Sequence, residues 1–237
     1  LSSWLNPESA SGLAARELLL AMDGDKALTE QTLSGRAIRY VDWVMPGVLA
    51  MNMMFTALFG IGYVIVRYRQ NGVLKRFQAT PVSSLQFISA QMASRLVIVV
   101  LVNSLIFLGC DYFLDLLVLG SYGALLLIAL IGALSLLSLG LVIASRTASE
   151  ELAGGLLNTL TWPMMFFSEI WFSLENAPAW MQQFANIMPL THIVRAGRAV
   201  MIEGATLASV SHHLLALLAM TVVMLLLAAR LFRWQRG

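Results

Sequence analysis

The chain has 237 residues, of which 59% are hydrophobic and 12% charged, and its formal net charge is +2. A soluble domain carries roughly twice that charged fraction, and the apolar residues here form blocks too long for core helices. The composition therefore predicts an integral membrane protein. The one cysteine, Cys110, excludes an intrachain disulfide and any metal site built from several cysteines.

Five apolar stretches predict membrane-spanning helices, because about 20 helical residues cross the hydrocarbon of a bilayer. They are residues 44–66, 85–110, 122–145, 152–167 and 210–232. Together they predict an all-α, polytopic helical bundle. Pro46 is expected in the first turn of the first span, where a missing N–H costs little. The third span is rich in small residues, which allow close helix–helix approach.

The fourth predicted span, 152–167, is short. Gly154 and Gly155 near its start and Pro163 near its end are expected to weaken it.

The basic residues favour one orientation in the membrane. Taken together, the turn at 67–80, the turn at 146–151 and residues 230–237 hold eight basic residues against two acids, whereas the loop predicted at 111–121 has acids alone. The positive-inside rule then places the 67–80 turn and the C-terminus in the cytoplasm of a cell with the protein in its inner (plasma) membrane. Residues 1–42 become an extracytoplasmic segment, the tail of a domain, and a sixth span is expected upstream of it.

The segment 168–204 is neither a clean span nor a clean loop. Prolines and tryptophans interrupt its apolar residues, which predicts short re-entrant helices at the outer interface with Trp171 and Trp180 as aromatic anchors. Glu169 lies near the start of this segment. Its side chain either faces water at the interface or lines the exit path of a substrate, and the first interpretation is preferred. Arg195 and Arg198, three apart on one helix face, are expected to meet outer acids or anionic headgroups, and salt bridges with outer acids are the preferred interpretation.

Recognisable catalytic motifs are missing from the sequence. Neither lysine, Lys26 or Lys75, completes the Gly-rich Lys-Ser/Thr loop that binds nucleotide phosphates, so ATP hydrolysis by that route is excluded. The histidines, His192, His212 and His213, are not spaced with carboxylates as a metal site. The sequence therefore predicts no catalytic residue, no metal and no cofactor in this chain.

The basic stretch at 69–81 is the part of the sequence that points most directly to a function. Val73, Leu74 and Phe77 are spaced to form one apolar face of a short helix, with basic residues around it, and Thr80-Pro81 ends it. Two interpretations remain open. The stretch is either an ordinary basic turn that binds lipid headgroups or a docking site for a partner protein.

Two blocks of the sequence resemble the type-2 ABC exporter permeases, in an order and spacing that cover essentially the whole chain. The first resembles the coupling-helix region of that family and comprises Arg69, Gly72, Lys75, Arg76, Ala79, Thr80 and Pro81. The second resembles the outer re-entrant segment before the last span and comprises Pro178, Ala179, Trp180, Met188, Pro189, Leu190, Thr191 and His192. His192 stands where the family commonly has tyrosine.

The resemblance implies a permease that pairs with a second copy or a similar chain and moves a hydrophobic or amphipathic substrate outward. Each copy would seat its coupling helix in a separate ATPase subunit, which holds the ATP and Mg and rocks the permease between two states. The residues implied in ATPase coupling are Arg69, Gly72, Leu74, Lys75, Arg76, Phe77, Thr80 and Pro81. Those implied in the outer re-entrant segment are Glu169, Pro178, Trp180, Pro189, Leu190, Thr191 and His192.

Further partners expected from the resemblance are membrane lipids and a periplasmic adaptor, but no nucleic acid. The alternative function is a secondary transporter or channel that needs no ATPase. It would require intramembrane coupling charges and an inverted repeat. Arg95 is the only clear charge within a predicted span, and no repeat is visible.

Overall fold

A computed structural model describes residues 38–73, 76, 83–147, 149–174 and 176–231. These ranges form helices and no strand, which confirms the predicted all-α class. The helices are α1 (Tyr40–Gln70), α2 (Ser84–Leu114), α3 (Tyr122–Arg146), α4 (Glu150–Phe167), α5 (Ala179–Asn186), α6 (Pro189–Glu203) and α7 (Ser211–Leu231). The predicted extracytoplasmic segment 1–42 lies almost wholly outside the described residues.

Within the described part of the chain, α1, α2, α3 and α7 are long and apolar enough to cross a membrane. They coincide with four of the predicted spans. The fourth prediction, 152–167, falls within α4, which does not reach the same length and apolarity. The count of five visible spans out of six therefore stays a prediction.

The first helix begins earlier than predicted because its start is fixed by Arg39 and Asp42. The Arg39 guanidinium binds both oxygens of the Asp42 carboxylate, and Oδ1 also accepts the N–H of Leu117 at 3.0 Å. The same guanidinium donates to the carbonyls of Leu114 and Asp115. This cluster ties the start of α1 to the loop between α2 and α3.

Two expectations about this end of the bundle are wrong for the same reason, namely that the helices extend beyond the apolar stretches. Pro46 lies in the second turn of α1 and not in the first. Asp111 lies in the last turn of α2, where its carboxylate accepts the Tyr122 hydroxyl at 3.1 Å, so the loop is shorter than 111–121.

The third helix is the centre of the bundle and packs against α1, α2, α4, α6 and α7. Its small residues permit this, as predicted. A Cβ on Gly140 would lie 3.1 Å from the Leu58 carbonyl oxygen, and one on Gly132 would lie 2.8 Å from Ile193. In the preceding loop, Gly120 lies against the main chain of Val200.

The fourth helix runs along α1 without a break. It continues through Pro163 to Phe167, so the expected weakening of the helix by Pro163 is not observed. The absence of a side chain at Gly154 leaves room for the Tyr63 hydroxyl. A Cβ at this position would lie 2.7 Å from that hydroxyl. Gly154 therefore allows close helix packing, and its predicted weakening of the helix stays a prediction.

The short helices α5 and α6 form a hairpin, and α6 packs against α1, α3 and α7. The bundle thus has two chemically different ends. We call the end where α1 leads through residues 71–83 into α2 the connector end. We call the opposite end, which carries α5 and α6, the hairpin end.

Candidate functional site

The connector end begins where α1 stops. Gly72 has φ +69, a left-handed conformation that suits glycine, and the N–H of Asn71 caps the carbonyl of Arg67 at 2.9 Å. The N–H of Arg76 then donates to the Gly72 carbonyl at 3.3 Å, which is a helical i,i+4 bond. Val73 and Arg76 are helical, and both lie in the stretch where the coupling helix is predicted.

Arg69 joins α1 to the end of α3. Its Nη1 donates to the carbonyl of Ala144 and its Nη2 to that of Ser145, both at 3.0 Å, and Nη1 also donates to the carbonyl of Thr147. The last carbonyls of a helix lack intrahelical partners and carry a partial negative charge. A guanidinium satisfies several of them at once, so Arg69 acts as a cross-helix cap.

Arg67 joins α1 to the start of α4. It makes a bidentate pair with Glu150 at 2.9 and 3.0 Å, and Glu150 also places negative charge at the N-terminus of α4. The Tyr68 ring packs against Phe87 of α2 in a tilted arrangement, with ring centroids 6.4 Å apart. The last turn of α1 thus contacts three other helices.

The far side of the connector is fixed by Ser83, the N-cap of α2. Its hydroxyl accepts the Gln86 N–H, and the Gln86 side chain accepts the Ser83 N–H, which is a capping box. Of the predicted coupling residues, Arg69, Gly72 and Arg76 are placed as described. Outside the described residues lie Leu74, Lys75, Phe77, Thr80 and Pro81.

The hairpin end is organised by Glu169, which follows α4. Its φ is +58, a left-handed conformation that is uncommon for a residue with a side chain. The residue is only 7% exposed, and its carboxylate accepts Arg195 Nε at 3.1 Å. The preferred expectation that Glu169 faces water is therefore wrong, whereas the expected salt bridge of Arg195 is confirmed.

Arg198 binds the same corner from the next turn of α6. Its Nη2 donates to the Glu169 carbonyl at 2.7 Å, and its guanidinium lies 4.0 Å from the centroid of the Trp43 ring. Burial lowers the pKa of Arg198, and the charge of Glu169 opposes that shift. The two arginines, one carboxylate and one carbonyl join α4, α6 and the start of α1.

His192 is held by two hydrogen bonds that fix its tautomer. Its Nε2 lies 2.9 Å from the Asn186 carbonyl and therefore donates, so its Nδ1 accepts from Nδ1 of His213 at 3.0 Å. Burial is the largest cause that lowers the pKa of His192, and Arg195 adds to it. Sequence reasoning missed this pair, because nothing in the sequence brings α6 and α7 together at these two positions.

The other residues predicted in the re-entrant segment mark helix starts or fill the core. Pro178 is the N-cap of α5 and Pro189 is the first residue of α6. Trp180 is 63% exposed, as expected of an interfacial anchor. Leu190 and Thr191 are fully buried, and the Thr191 hydroxyl donates to Ser168 at 3.2 Å.

Among the described residues, no group of three or more His, Cys, Asp or Glu side chains is arranged to hold a metal ion. The interactions described at both ends are hydrogen bonds and ion pairs between helices. Arrangements of this kind position helices and transmit their motion.

The comparison with known families decides what kind of bundle this is. The sequence profile described as ABC-2 type transporter matches residues 15–202. The chain belongs to the ABC-2 type transporter family. The resemblance inferred from the two sequence blocks is thereby confirmed.

Two curated relatives of this ABC-2 chain show the same relationship at low identity. It is 24% identical over 192 residues to ABC transporter G family member 20 of Dictyostelium discoideum, covering 81% of this chain and 26% of that protein. It is 22% identical over 194 residues to the Probable multidrug ABC transporter permease YbhR of Escherichia coli K12, covering 82% of this chain and 53% of that protein. The chain thus spans about a quarter and about half of their lengths.

Proposed function

We propose that this chain is the membrane-spanning permease part of an ATP-driven exporter, and that the connector 69–81 docks on a separate ATPase subunit. The observation that supports this most is the anchoring of the connector end. Arg67, Tyr68 and Arg69 bind α4, α2 and α3 directly beside the point where the coupling helix is predicted. A force applied there reaches four helices and not one.

The proposed mechanism is a rigid-body movement. ATP and Mg are bound and ATP is hydrolysed on the partner, whose closure pushes the coupling helix. Because Arg69 caps α3, the central helix, the push displaces the core of the bundle together with α1. Two such chains, identical or similar, would alternate between inward- and outward-facing states.

The direction and the substrate class are part of the same proposal. The printed name of the YbhR relative describes a multidrug permease, and exposed apolar side chains cover α2 and α7 of this chain. A hydrophobic or amphipathic substrate moved out of the cytoplasm or the inner leaflet fits these features. The inner (plasma) membrane and a cytoplasmic C-terminus follow from the excess of arginine at the connector end.

The alternative, transport without an ATPase, has less support. It needs ionisable side chains near the middle of the membrane. In the described ranges the buried carboxylates are Asp42 and Glu169. Both lie at the hairpin end and both are already paired with arginines of this chain.

The coupling step is tested by Arg69→Met in the full chain, reconstituted with the ATPase subunit that co-purifies from native membranes. The variant loses the cap on α3 while the predicted docking residues Leu74 and Phe77 stay. We expect the ATPase to remain bound and its stimulation by substrate to fall by a factor of about 5 or more. The matched control is Arg146→Met, which removes an exposed arginine at the same end.

Equal loss of stimulation in both variants would favour a general basic surface for lipid headgroups and contradict the role of Arg69. Docking is tested separately with Leu74→Ala and Phe77→Ala, which we expect to abolish co-purification of the ATPase. If transport stays intact in both, the connector is not the docking site.

A further inference from the structure

A cavity of about 690 Å³ lies at the hairpin end, between the starts of α1 and α7, the loop after α4, and α6. A volume of this order is typical of ligand-binding pockets. Its wall carries charges of both signs, contributed by Glu169, Arg195, Arg198 and Glu203, and it also includes His213. The two arginines balance the two glutamates, so the wall is strongly polar but has no net charge while His213 is neutral.

Two neighbouring atoms of this wall are left without a hydrogen bond by the fold. The Glu169 carboxylate accepts both hydrogen bonds of Arg195 through Oε1, so its Oε2 accepts none among the described residues. Arg198 donates through Nε to the Trp43 carbonyl and through Nη2 to the Glu169 carbonyl, which leaves its Nη1 without an acceptor in the same part of the chain. Neither Glu169 Oε2 nor Arg198 Nη1 is fully buried, so a ligand in the cavity can reach both.

The spacing of these two atoms restricts what binds between them. Arg198 Nη1 lies 3.9 Å from Glu169 Oε2, which is too far for a direct hydrogen bond. A hydroxyl group beside both atoms satisfies both, because its oxygen accepts one hydrogen bond and donates another. A phosphate is repelled by the carboxylate, and an ammonium group is repelled by the guanidinium. The pair therefore favours a neutral hydroxyl over either ion.

Two more groups of the wall accept hydrogen bonds. Nδ1 of His213 donates to His192, so Nε2 of the neutral His213 ring is an acceptor. Glu203 is exposed, and its carboxylate accepts no hydrogen bond from the residues that the structure describes. A ligand that uses these acceptors together with the Glu169–Arg198 pair needs several hydroxyl groups and no charge. Sugars and polyols have this combination.

The position of the cavity fits the headgroup region of a membrane. Trp43 and His213, which line it, lie in the first turns of α1 and α7, two helices long enough to cross the membrane. Glu169 is held beside them in a left-handed conformation, with φ +58. Strained conformations of this kind cluster at binding and catalytic sites, where the surrounding structure maintains them.

We propose that the hairpin-end cavity binds a neutral polyhydroxylated group, the sugar of a glycolipid or a free sugar, in which one hydroxyl bridges Arg198 Nη1 and Glu169 Oε2. Further hydroxyl groups donate to Glu203 and His213. The site selects its ligand by these hydrogen bonds and not by charge. Binding requires neither the connector nor an ATPase, so it stands independently of the proposed export cycle.

The test is the retention of lipids by the full chain on release from phosphatidylcholine nanodiscs, measured by native mass spectrometry. Three probes share one diacylglycerol. The first carries glucose, the second a tetrahydropyranyl ring, which is the sugar ring without its hydroxyl groups, and the third phosphoethanolamine, which has separated charges. We expect the glucolipid to be retained about 10-fold more than either of the others, the effect of two or more hydrogen bonds.

Free methyl glucoside distinguishes the two sources of the sugar. If it displaces the glucolipid, the hydroxylated ring alone provides the binding and a free sugar occupies the site. If it does not, the acyl chains contribute and the ligand is a glycolipid. Either result supports a site for the hydroxylated ring, provided that the glucolipid is preferred.

Three variants locate the binding. Glu169→Gln replaces Oε2 by an amide N–H, which cannot accept from a hydroxyl, and should abolish the preference for the glucolipid. Because this variant is expected to be less stable, Ala199→Leu provides a second one, since Ala199 lines the cavity and a larger side chain there should lower retention of the glucolipid. The control is Ala208→Leu, the same change at an exposed alanine outside the cavity wall, which should keep the preference.

Equal retention of the glucolipid and the tetrahydropyranyl lipid by the native chain would overturn the proposal, because a cavity that holds water alone gives that result. Equal retention of the phosphoethanolamine lipid would overturn it as well, since charges and not hydroxyl groups would then be recognised. A preference that survives both Glu169→Gln and Ala199→Leu would place the sugar elsewhere. None of these results depends on transport, so each is distinguishable from failure of the proposed function.

Discussion

The two ends of the bundle use arginine in opposite ways. At the hairpin end, Arg195 and Arg198 converge on one carboxylate, and the side chains involved are 27%, 13% and 10% exposed. At the connector end, the Arg67–Glu150 pair is 59% and 33% exposed. A buried pair is costly to separate, whereas an exposed one exchanges easily with water. The ion pairs of Glu169 at the hairpin end are therefore harder to separate than the Arg67–Glu150 pair at the connector end.

The largest effect on this difference between the two ends is expected from the substitution Glu169→Gln. The substitution keeps the shape of the side chain but leaves two arginines beside it without their counter-charge. Removing one partner of a buried ion pair typically costs about 3–5 kcal/mol, so the free energy of unfolding should fall by that order. Denaturation in detergent, followed by the fluorescence of the tryptophans, measures it.

The control for this variant is Glu203→Gln, since Glu203 is an exposed acid at the end of α6. We expect it to leave stability nearly unchanged. A loss in Glu203→Gln as large as in Glu169→Gln would mean that net charge, and not the specific pair, stabilises the hairpin end.

A second, smaller effect is expected from pH through His192. Its pKa is lowered in the folded chain, chiefly by burial, so the unfolded chain binds the proton more readily. Stability is then complete above the ordinary histidine pKa of about 6.5 and falls as the pH drops below it toward the folded pKa. Protonation of His192 Nδ1 would also set two N–H groups against each other at the His213 contact.

The measurement is the midpoint of thermal unfolding between about pH 8 and about pH 5.5, on either side of the ordinary value. His192→Gln should flatten the decrease at acid pH, whereas His212→Gln, at an exposed position, should retain it. An unchanged slope in His192→Gln would assign the acid sensitivity to another group.

The smallest effect is expected from Arg67→Gln at the connector end. Exposed ion pairs contribute little to stability and are screened by salt. We expect no resolvable change in the free energy of unfolding at physiological ionic strength. A destabilisation comparable to that of Glu169→Gln would remove the distinction between the two ends.

The sequence predicts the helices far better than the contacts between them. Apolar stretches at helical length predict α1, α2, α3 and α7, and the small residues of α3 predict a tightly packed helix. The ends of the helices are harder to predict from the sequence. The start of α1, for example, depends on a contact of Arg39 and Asp42 with a loop that is distant in sequence. Such tertiary capping leaves no local signal.

The candidate sites show the same limit. The resemblance predicts Glu169 and His192 as members of one segment, but their partners lie on the helices that follow. Glu169 pairs with Arg195 and Arg198 of α6, and His192 with His213 of α7. The prediction that Glu169 faces water is wrong because the sequence does not show that the arginines of α6 lie beside it. Without them, a carboxylate near the membrane interface is expected to be solvated.

Gly120 carries a consequence for how the family's sequences can diverge. A Cβ at this position would lie 2.4 Å from the Val200 carbonyl oxygen, a main-chain atom that no rotamer change can move away. Every other amino acid would push the α2–α3 loop off α6, although Gly120 itself takes part in none of the ion pairs. Substitutions at Gly120 are therefore expected to be tolerated poorly because they disturb the packing of the hairpin end. A survey of variants would find this position as sensitive as a binding residue.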